Sequence, residues 1–440
     1  MTAASYCHLI LRLQWPVPLQ SSMSSAHSVP RVGFACCRLC RGRRWRGTHI
    51  ASMRSAATRV AGEALLGSSA DVCDSTVLIS GGGFAGVGAA MALVQAGVDT
   101  LLCEQGRGLG GRVATRRVRD SDLQFDHGCQ YFAPKPGTAF ETLALDLEAA
   151  GVLARWAAGR IGTVSCAADG RFDTATFVPN EAGKTTFVGV PSMSAVGKHL
   201  LTTAARQPGA GALTVALGTR VAPGSLRRDG ELWTAETHAK NKPDDRVRTR
   251  HRYVLALGSA SSTFNVVSPV ADALAAPAGR VQANACWALM VALASPLTGK
   301  TRPPFDGAMV TNSQSLAWVA LDSSKPGRSS RAAAECWVVH AGPEWSNARR
   351  DVDADAVASE LLEAFVHAFG ASSPEVLYKE AFKWNAAFPL SVADSAGAGC
   401  FVDTQAAVGL AGDWCIGPRA GDAWQSGQMA SRALLDSTRQ

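Results

Sequence analysis

Apolar positions along the chain fall into short continuous runs and longer stretches of helical spacing, with glycine and proline between them. The clearest run is 76–80, Thr-Val-Leu-Ile-Ser. It feeds Gly81-Gly82-Gly83-Phe84-Ala85-Gly86 and then a helix-like run over 89–96. A second short strand, 100–103, ends on Glu104. Strand, glycine turn, helix, strand is a βαβ unit. Helical spacing returns at 138–150 and at 194–205, where Ser192 or Ser194 can cap the start. It is strongest at 352–369. There Val357, Leu361, Leu362, Phe365 and Phe369 share one face and Gly370 is the stop. A last helix is predicted over 421–435.

Strands are predicted at 156–164, 172–178, 186–191, 213–217, 220–226 and 233–237, the last two forming a hairpin. Residues 240–252 are so rich in charge that they read as a solvated loop. The run 253–258 reads as a buried parallel strand. Further strands fall at 286–294, 316–321, 336–340, 376–384 and 408–413. No internal repeat is visible. The pattern is that of an α/β chain: a Rossmann-like domain with an inserted, mainly antiparallel α+β domain.

Apolar residues make up 47% and charged residues 18%, so the chain can bury a sizeable core. No apolar run approaches the roughly 18 residues of a membrane helix. The net charge of +7 is misleading. Residues 1–62 hold nine Arg and no acid, and without them 34 basic residues face 36 acidic ones. The body is therefore not a basic nucleic-acid binder. The leader is rich in Arg, Ser and Ala, as an organelle transit peptide is. Its apolar run at 9–15 is broken by Arg12 and ends at Pro16, which disfavours a secretory signal. Cleavage is expected between Ala56 and Cys73. The destination is read as chloroplast, with mitochondrion as the alternative. An uncleaved basic tail is the bland reading.

Of twelve cysteines, four lie in the leader, including Cys37 and Cys40 in a lone C-x-x-C. The other eight have no dithiol or zinc spacing. His127 and Cys129 are too few for a metal site, so no metal is expected.

Gly81, Gly83 and Gly86 fit G-x-G-x-x-G, with Ala85 inside the motif. Glycines there allow the tight turn, backbone approach to a pyrophosphate, and close helix packing. Glu104 lies where an acid accepts from a ribose diol. A second glycine loop, 107–112, follows that acid and suggests a long dinucleotide. Gly111 lies in it, and Arg112 offers a planar fork to a phosphate or a ring carbonyl. The segment 125–132 places Asp126, His127, Gln130 and aromatic residues beside glycine, as a site-lining loop does. At the far end, Gly412-Asp413 ends a strand and Ala423 stands at a helix start. Asp413 can bond a polyol, and amides near Ala423 can stabilise an anion. The bland readings are a glycine-rich turn, a solvated Arg, a core Tyr-Phe pair and a turn Asp.

Taken together, Gly81-Gly-Gly83-Phe-Ala-Gly86, Gly108-Leu-Gly-Gly-Arg112, Phe125-Asp-His-Gly-Cys-Gln-Tyr-Phe132, Val190-Pro-Ser-Met-Ser194, Cys286-Trp-Ala-Leu-Met290, Ala317-Trp318, Glu344-Trp345-Ser346 and Gly412-Asp413-Trp414-Cys415 resemble the FAD-dependent amine-oxidase-like superfamily. The likeness is greatest to the renalase branch and its NAD(P)/FAD-dependent oxidoreductase relatives, over nearly all of 76–436. It implies an FAD-binding domain at 71–160, 210–260 and 400–440. A substrate domain then takes 161–209 and 261–399, after a leader and linker over 1–70. Gly81, Gly83 and Gly86 would hold the pyrophosphate and Glu104 the adenosine ribose. The backbone of Val221 would meet adenine, Arg112 and Gln130 would approach the flavin, and Gly412, Asp413 and Ala423 would close the site. Ser80-Gly81-Gly82 departs from the commoner Val-Gly-Ala. No cysteine stands at the covalent tether of monoamine oxidases, so FAD is expected to be non-covalent. The paired tyrosines of their cage are not evident either.

The expected function is that of an FAD-dependent oxidoreductase. It would take hydride from a small-molecule substrate and pass electrons to O2, renalase-like in oxidising dihydronicotinamide isomers. His127, Gln130, Trp318 and Trp384 are candidate substrate-side residues. Alternatives are an amine oxidase or desaturase, a redox-neutral flavin isomerase, and a non-catalytic FAD-binding partner. No nucleic acid or membrane span is expected, and the oligomeric state stays open.

Overall fold

The computed structural model describes residues 59–61, 73–157, 159–181, 185–297, 303–328, 333, 335–372 and 374–437. The expected transit peptide and its cleavage region lie largely outside the described residues. The chain enters at β1 (Arg59–Ala61), which falls inside the segment read as leader and linker. It continues through β2 (Cys73–Ser80), α1 (Phe84–Gln95) and β3 (Thr100–Glu104). A small hairpin, β4 (Arg116–Arg117) with β5 (Gln124–Phe125), precedes α2 (Ala139–Ala149) and β6 (Leu153–Arg155). The chain then crosses to a second sheet at β7 (Ile161–Cys166) and β8 (Phe172–Pro179). It returns by β9 (Phe187–Gly189), α3 (Met193–Ala205) and β10 (Leu213–Leu217). A meander follows: β11 (Thr219–Val221), β12 (Arg227–Asp229), β13 (Leu232–Ala239) and β14 (Lys242–Leu257), then α4 (Ala260–Val267) and α5 (Asp272–Gly279).

The second sheet is completed by β15 (Ala283–Leu293), β16 (Gly307–Thr311), β17 (Leu316–Leu321), β18 (Glu335–Ala341) and β19 (Val376–Pro389). Between the last two lie α6 (Pro343–Ala348) and α7 (Ala354–Ala368). The tail rejoins the first sheet with β20 (Phe401–Asp403), β21 (Val408–Ala411) and α8 (Ala420–Ser437).

In the first sheet, parallel pairing runs β1, β10, β3, β2, β14, β21. Its central stretches, 77–79, 101–103 and 254–257, are buried on both sides, as a parallel sheet covered on both faces requires. Val77 and Ile79 of β2 pack with α1 and α8 residues, while Leu78 packs with α4 and α5 residues. The second sheet runs β19, β15, β18, β17, β16, β7, β8 and is antiparallel except at β16 with β7. One of its faces is covered by α7, through Val357, Leu361 and Phe365 against Trp337 and Val339. The other face looks toward the first sheet. This is the expected α/β architecture: a Rossmann-like unit with a second sheet domain inserted.

Several expectations are corrected. Residues 240–252 are mostly strand. Val247, Thr249 and His251 point inward while Arg246, Arg248, Arg250 and Arg252 are exposed, so the charges occupy one face of a paired strand. The first helix begins at Phe84, ahead of the predicted 89. Glycine weakens an isolated helix by about 1 kcal/mol, but here Gly86 and Gly88 permit close contacts. A Cβ on Gly88 would lie 2.4 Å from the Trp424 carbonyl oxygen of α8. Gln428 Nε2 donates to the Gly88 carbonyl at 2.7 Å and Ser431 Oγ to that of Ala89 at 3.1 Å, so the last helix is bonded to the first. The domain borders shift as well. Both α3 and the α4–α5 pair were assigned to the substrate domain, yet they pack with the first sheet.

The packing of α7 yields a test. Phe365 is fully buried and its ring lies 5.3 Å from that of Trp337 and 5.2 Å from that of Phe369. Phe365→Ala is expected to lower unfolding stability by about 3–5 kcal/mol in urea denaturation. A loss under about 1 kcal/mol would show that α7 is not a structural cover.

Candidate functional site

A cavity of about 910 Å³ opens where β2, β3, β14 and β21 end. It reaches from there to the uncovered face of the second sheet. The carboxyl edge of a parallel sheet is where such folds bind ligands. Gly81 has φ of +112°, and a Cβ there would lie 1.8 Å from the Leu257 carbonyl oxygen, so only glycine makes this turn. At Gly83 a Cβ would meet nothing within 4 Å, which leaves the α1 N-terminus open to the cavity. Gly86 does not line the cavity. Its missing Cβ would sit 1.9 Å from the Gly81 carbonyl oxygen, so it lets helix and turn pack together. The second glycine loop docks on the first: Gly110 N donates to Gly82 O at 2.8 Å, and Gly111 lies against Gly83.

Glu104 lines the cavity at the end of β3. Its Oε2 accepts from Gly82 N at 2.8 Å and its Oε1 from Gly106 N at 2.6 Å. Burial raises its pKa, and those two amides and Lys240 oppose the rise. The carboxylate therefore stitches the glycine turn to the next loop while keeping lone pairs for a ligand. Val221 is buried in β11 and lines the same end of the cavity.

Arg112 is spoken for. Its Nη1 and Nη2 donate to Asp413 Oδ2 and Oδ1 at 2.6 and 2.7 Å, and Nη1 also donates to the Ala387 carbonyl at 2.9 Å. Burial works against the guanidinium charge and Asp413 more than restores it, so its pKa stands above the ordinary value. Gly412 N donates to Ser426 Oγ at 3.1 Å, which fixes the strand end to α8. Ala423 lines the cavity, but its amide donates to the Arg419 carbonyl at 3.0 Å. The amides that a helix start leaves for an anion are then those of Ala420, Gly421 and Asp422. The free amides near Ala423 are thus the three that precede it, not its own.

Gln130 lines the cavity as part of a buried polar wall. Its Nε2 donates to the carbonyls of Asp126 and Gly128, and its Oε1 accepts from Lys325 Nζ at 3.2 Å. Behind it, Asp126 accepts from Thr115 Oγ1 at 2.6 Å, Arg328 Nη2 at 2.6 Å and Lys325 Nζ at 3.4 Å. Burial pushes the Asp126 carboxyl up, but Lys325 and Arg328 overcome this and hold it below its usual range. Asp126 Oδ1 and Thr115 Oγ1 also take the first amides of α3, Met193 N and Ser194 N at 3.3 and 3.2 Å. The expected serine cap is thus replaced by residues of another loop. Ser192 holds the cap position but makes no cap hydrogen bond. Sequence reading missed Lys325 and Arg328, since no local pattern marks a buried cation.

On the second sheet, register sets one row of side chains toward the cavity: Phe382, Ala288, His340, Trp318 and Met309 on successive strands. Trp384 joins it, and its Nε1 donates to the His127 carbonyl at 3.0 Å. The same carbonyl lies 3.1 Å from His340 Nε2. The His127 ring packs edge-on against Phe382 and tilted against Trp384, with centroids 4.9 Å apart in each case. His340 was not singled out from sequence. Its signal is a lone polar residue in phase with Cys336 and Val338 on an apolar strand.

Among the described residues no cluster of His, Cys, Asp and Glu is placed to hold a metal. No described helix is long and apolar enough to cross a membrane. Glycine cradle, amide-held acid and elongated cavity fit a dinucleotide lying across the carboxyl ends of the strands.

Residues 79–144 match the family model described as an NAD(P)-binding Rossmann-like domain. Solved structures share the fold over most of the chain. One from Exiguobacterium sp. 255-15, named for protoporphyrinogen oxidase, is 13% identical with a TM-score of 0.57, covering 84% of this chain and 100% of its own. An oxidoreductase from Methanosarcina mazei is 15% identical with a TM-score of 0.54, covering 82% and 99%. A geranylgeranyl bacteriochlorophyll reductase-like protein of Thermoplasma acidophilum is 15% identical with a TM-score of 0.50, covering 84% and 80%. The chain is thus a Rossmann-like α/β protein with the two-unit architecture these proteins share.

Two imidazoles at the site, His127 buried and His340 half-buried, give it a pH signature. Burial lowers the pKa of His127 and of His340 from 6.5 to about 4. The unfolded chain therefore binds more protons between pH 6.5 and 4. The stability of the neutral, packed rings is complete above pH 6.5 and is lost as pH falls toward 4, by roughly 1 kcal/mol per pH unit for each ring. Thermal melts across this range should show the decline, and His340→Gln should remove one ring's share of it, leaving those of His127 and of His251, whose pKa burial also lowers to about 4. An unchanged slope in the variant would contradict this placement of the ring.

Proposed function

We propose that the protein is an oxidoreductase that holds FAD non-covalently and oxidises a small reduced substrate. The carrying observation is that one cavity joins a dinucleotide cradle to an enclosed aromatic wall on a second sheet. When bound, FAD supplies a hydride acceptor. Gly81 and Gly83 would let its pyrophosphate approach the backbone, and Glu104 would accept from the adenosine ribose. Val221 would border adenine, and Arg112, Asp413 and Gln130 would shape the flavin end. Burial pushes the thiols of Cys129 and Cys286, both at the cavity wall, up to about 12. Neither is a ready thiolate, which supports a non-covalent cofactor.

The substrate half offers flat aromatic walls and few charges. A donor of hydride such as a dihydropyridine needs no general base, which supports a renalase-like oxidation of dihydronicotinamide isomers with O2 as the final acceptor. The acid-free leader supports a chloroplast destination, with mitochondrion as the alternative. The walls of Tyr131, Trp318 and Trp384 also favour a second reading, oxidation of an amine or a hydrophobic ring.

The purified full chain should be yellow, with a flavin spectrum released by heat or acid. Anaerobic addition of dihydronicotinamide isomers should bleach it, and air should restore it with H2O2. Colourless protein that takes up no offered FAD would refute the proposal. Peroxide release only on an amine or carotenoid panel would select the second reading. Glu104→Ala should weaken FAD binding by about tenfold or more, because two turn amides and the ribose lose one charged partner. Unchanged affinity would remove Glu104 from the cofactor site.

A further inference from the structure

One part of the wall carries unused hydrogen-bonding capacity. His340 and Trp318 are register partners on β18 and β17, so their side chains leave the sheet on the same face. Both line the cavity. A carbonyl only accepts, so the bond to His127 O puts the proton on His340 Nε2 and leaves a lone pair on Nδ1. That Nδ1 meets no partner among the described residues. The Trp318 indole N–H is buried and also lacks a partner there. A buried donor without an acceptor costs about 1–3 kcal/mol. An acceptor and a donor thus stand on neighbouring strands of the wall, with the apolar Met309 next to Trp318 in the row.

We propose that His340 and Trp318 form a recognition pair for a planar substrate bearing a primary carboxamide, His340 Nδ1 accepting from its NH2 and the Trp318 N–H donating to its C=O. This deepens the proposed function and rests on it for the identity of the reacting ring. The pair selects by chemistry. A carboxylate would set its lone pairs against that of Nδ1. A ketone would leave Nδ1 unpaired. An ammonium would leave the Trp318 N–H unpaired.

The test is calorimetric titration of the flavin-loaded full chain with benzamide, acetophenone and benzoate, which share a ring and differ at the group read. Benzamide should bind roughly fivefold to tenfold more tightly than the other two. Trp318→Phe keeps a ring and deletes the N–H, and should weaken benzamide and acetophenone by a similar factor. His340→Phe should erase the preference for benzamide over acetophenone, and His340→Gln, which keeps a donor and an acceptor, should restore part of it. Retained flavin absorbance and melting temperature show that each variant is folded. Equal binding of the three probes by the parent chain, or a preference that survives His340→Phe, would overturn the proposal. Binding is read apart from turnover. Carboxamide selectivity in a chain whose flavin no dihydropyridine reduces would keep the pair and refute the hydride-donor reading. Flavin reduction without selectivity would do the reverse.

Discussion

The two-toothed ion pair between Arg112 and Asp413 joins stretches 301 residues apart at the wall of the cavity that both residues line. Arg112 sits in the second glycine loop, which is docked on the first. Asp413 follows β21, which pairs with β14 and β20 and packs against α8. A third bond carries Arg112 to Ala387 in β19 of the second sheet. One guanidinium therefore ties the start of the Rossmann-like unit, its end, and the inserted sheet. Planar pairing fixes orientation as well as distance. The Asp413 side chain is 5% exposed and that of Arg112 30%, so the pair is partly shielded from water, unlike a fully exposed surface ion pair. Removing one partner would leave a charge stranded in a poorly solvated place.

Behind the cavity, a second charged group does similar work in full burial. Asp126, Asp322, Lys325 and Arg328 have side chains at most 1% exposed, and their bonds hold the 125–130 segment, the start of α3 and the loop after β17. Removing any one partner of such a cluster would leave an uncompensated buried charge, so its members hold one arrangement of the loops they join. Here the arrangement fixed is the wall in which Gln130 and Tyr131 stand. The cavity consequently has two characters. At the glycine end it is bounded by backbone amides and an acid, suited to a polar chain. At the sheet end it is bounded by aromatic rings with His340 among them, suited to a flat ring.

Much of this was legible because it is local. The run into Gly81, the return strand ending on Glu104, and the apolar face of α7 each write their structure into adjacent residues. The two chain ends also signalled their meeting, since a strand ending in Gly-Asp before a helix repeats the geometry of the opening unit. What was illegible depends on partners far away in sequence. The charged stretch 240–252 reads as loop until β13 supplies its ladder. The start of α3 reads as serine-capped until Asp126 and Thr115 arrive from another loop. The Ala423 amide reads as free in a helix starting at 421, and is taken by the Arg419 carbonyl once the helix starts at Ala420. His340 and Lys325 carry no pattern of their own. Their roles come from sheet register and from burial that only the assembled fold creates.

The most direct test of the clasp is a double-mutant cycle on Arg112→Gln and Asp413→Asn, read as the FAD dissociation constant of the folded chain. The account predicts that either change weakens FAD by tenfold or more and that the double variant is little worse than each single, a coupling of about 1 kcal/mol or greater. Additive effects, or full FAD affinity in the double variant, would contradict it.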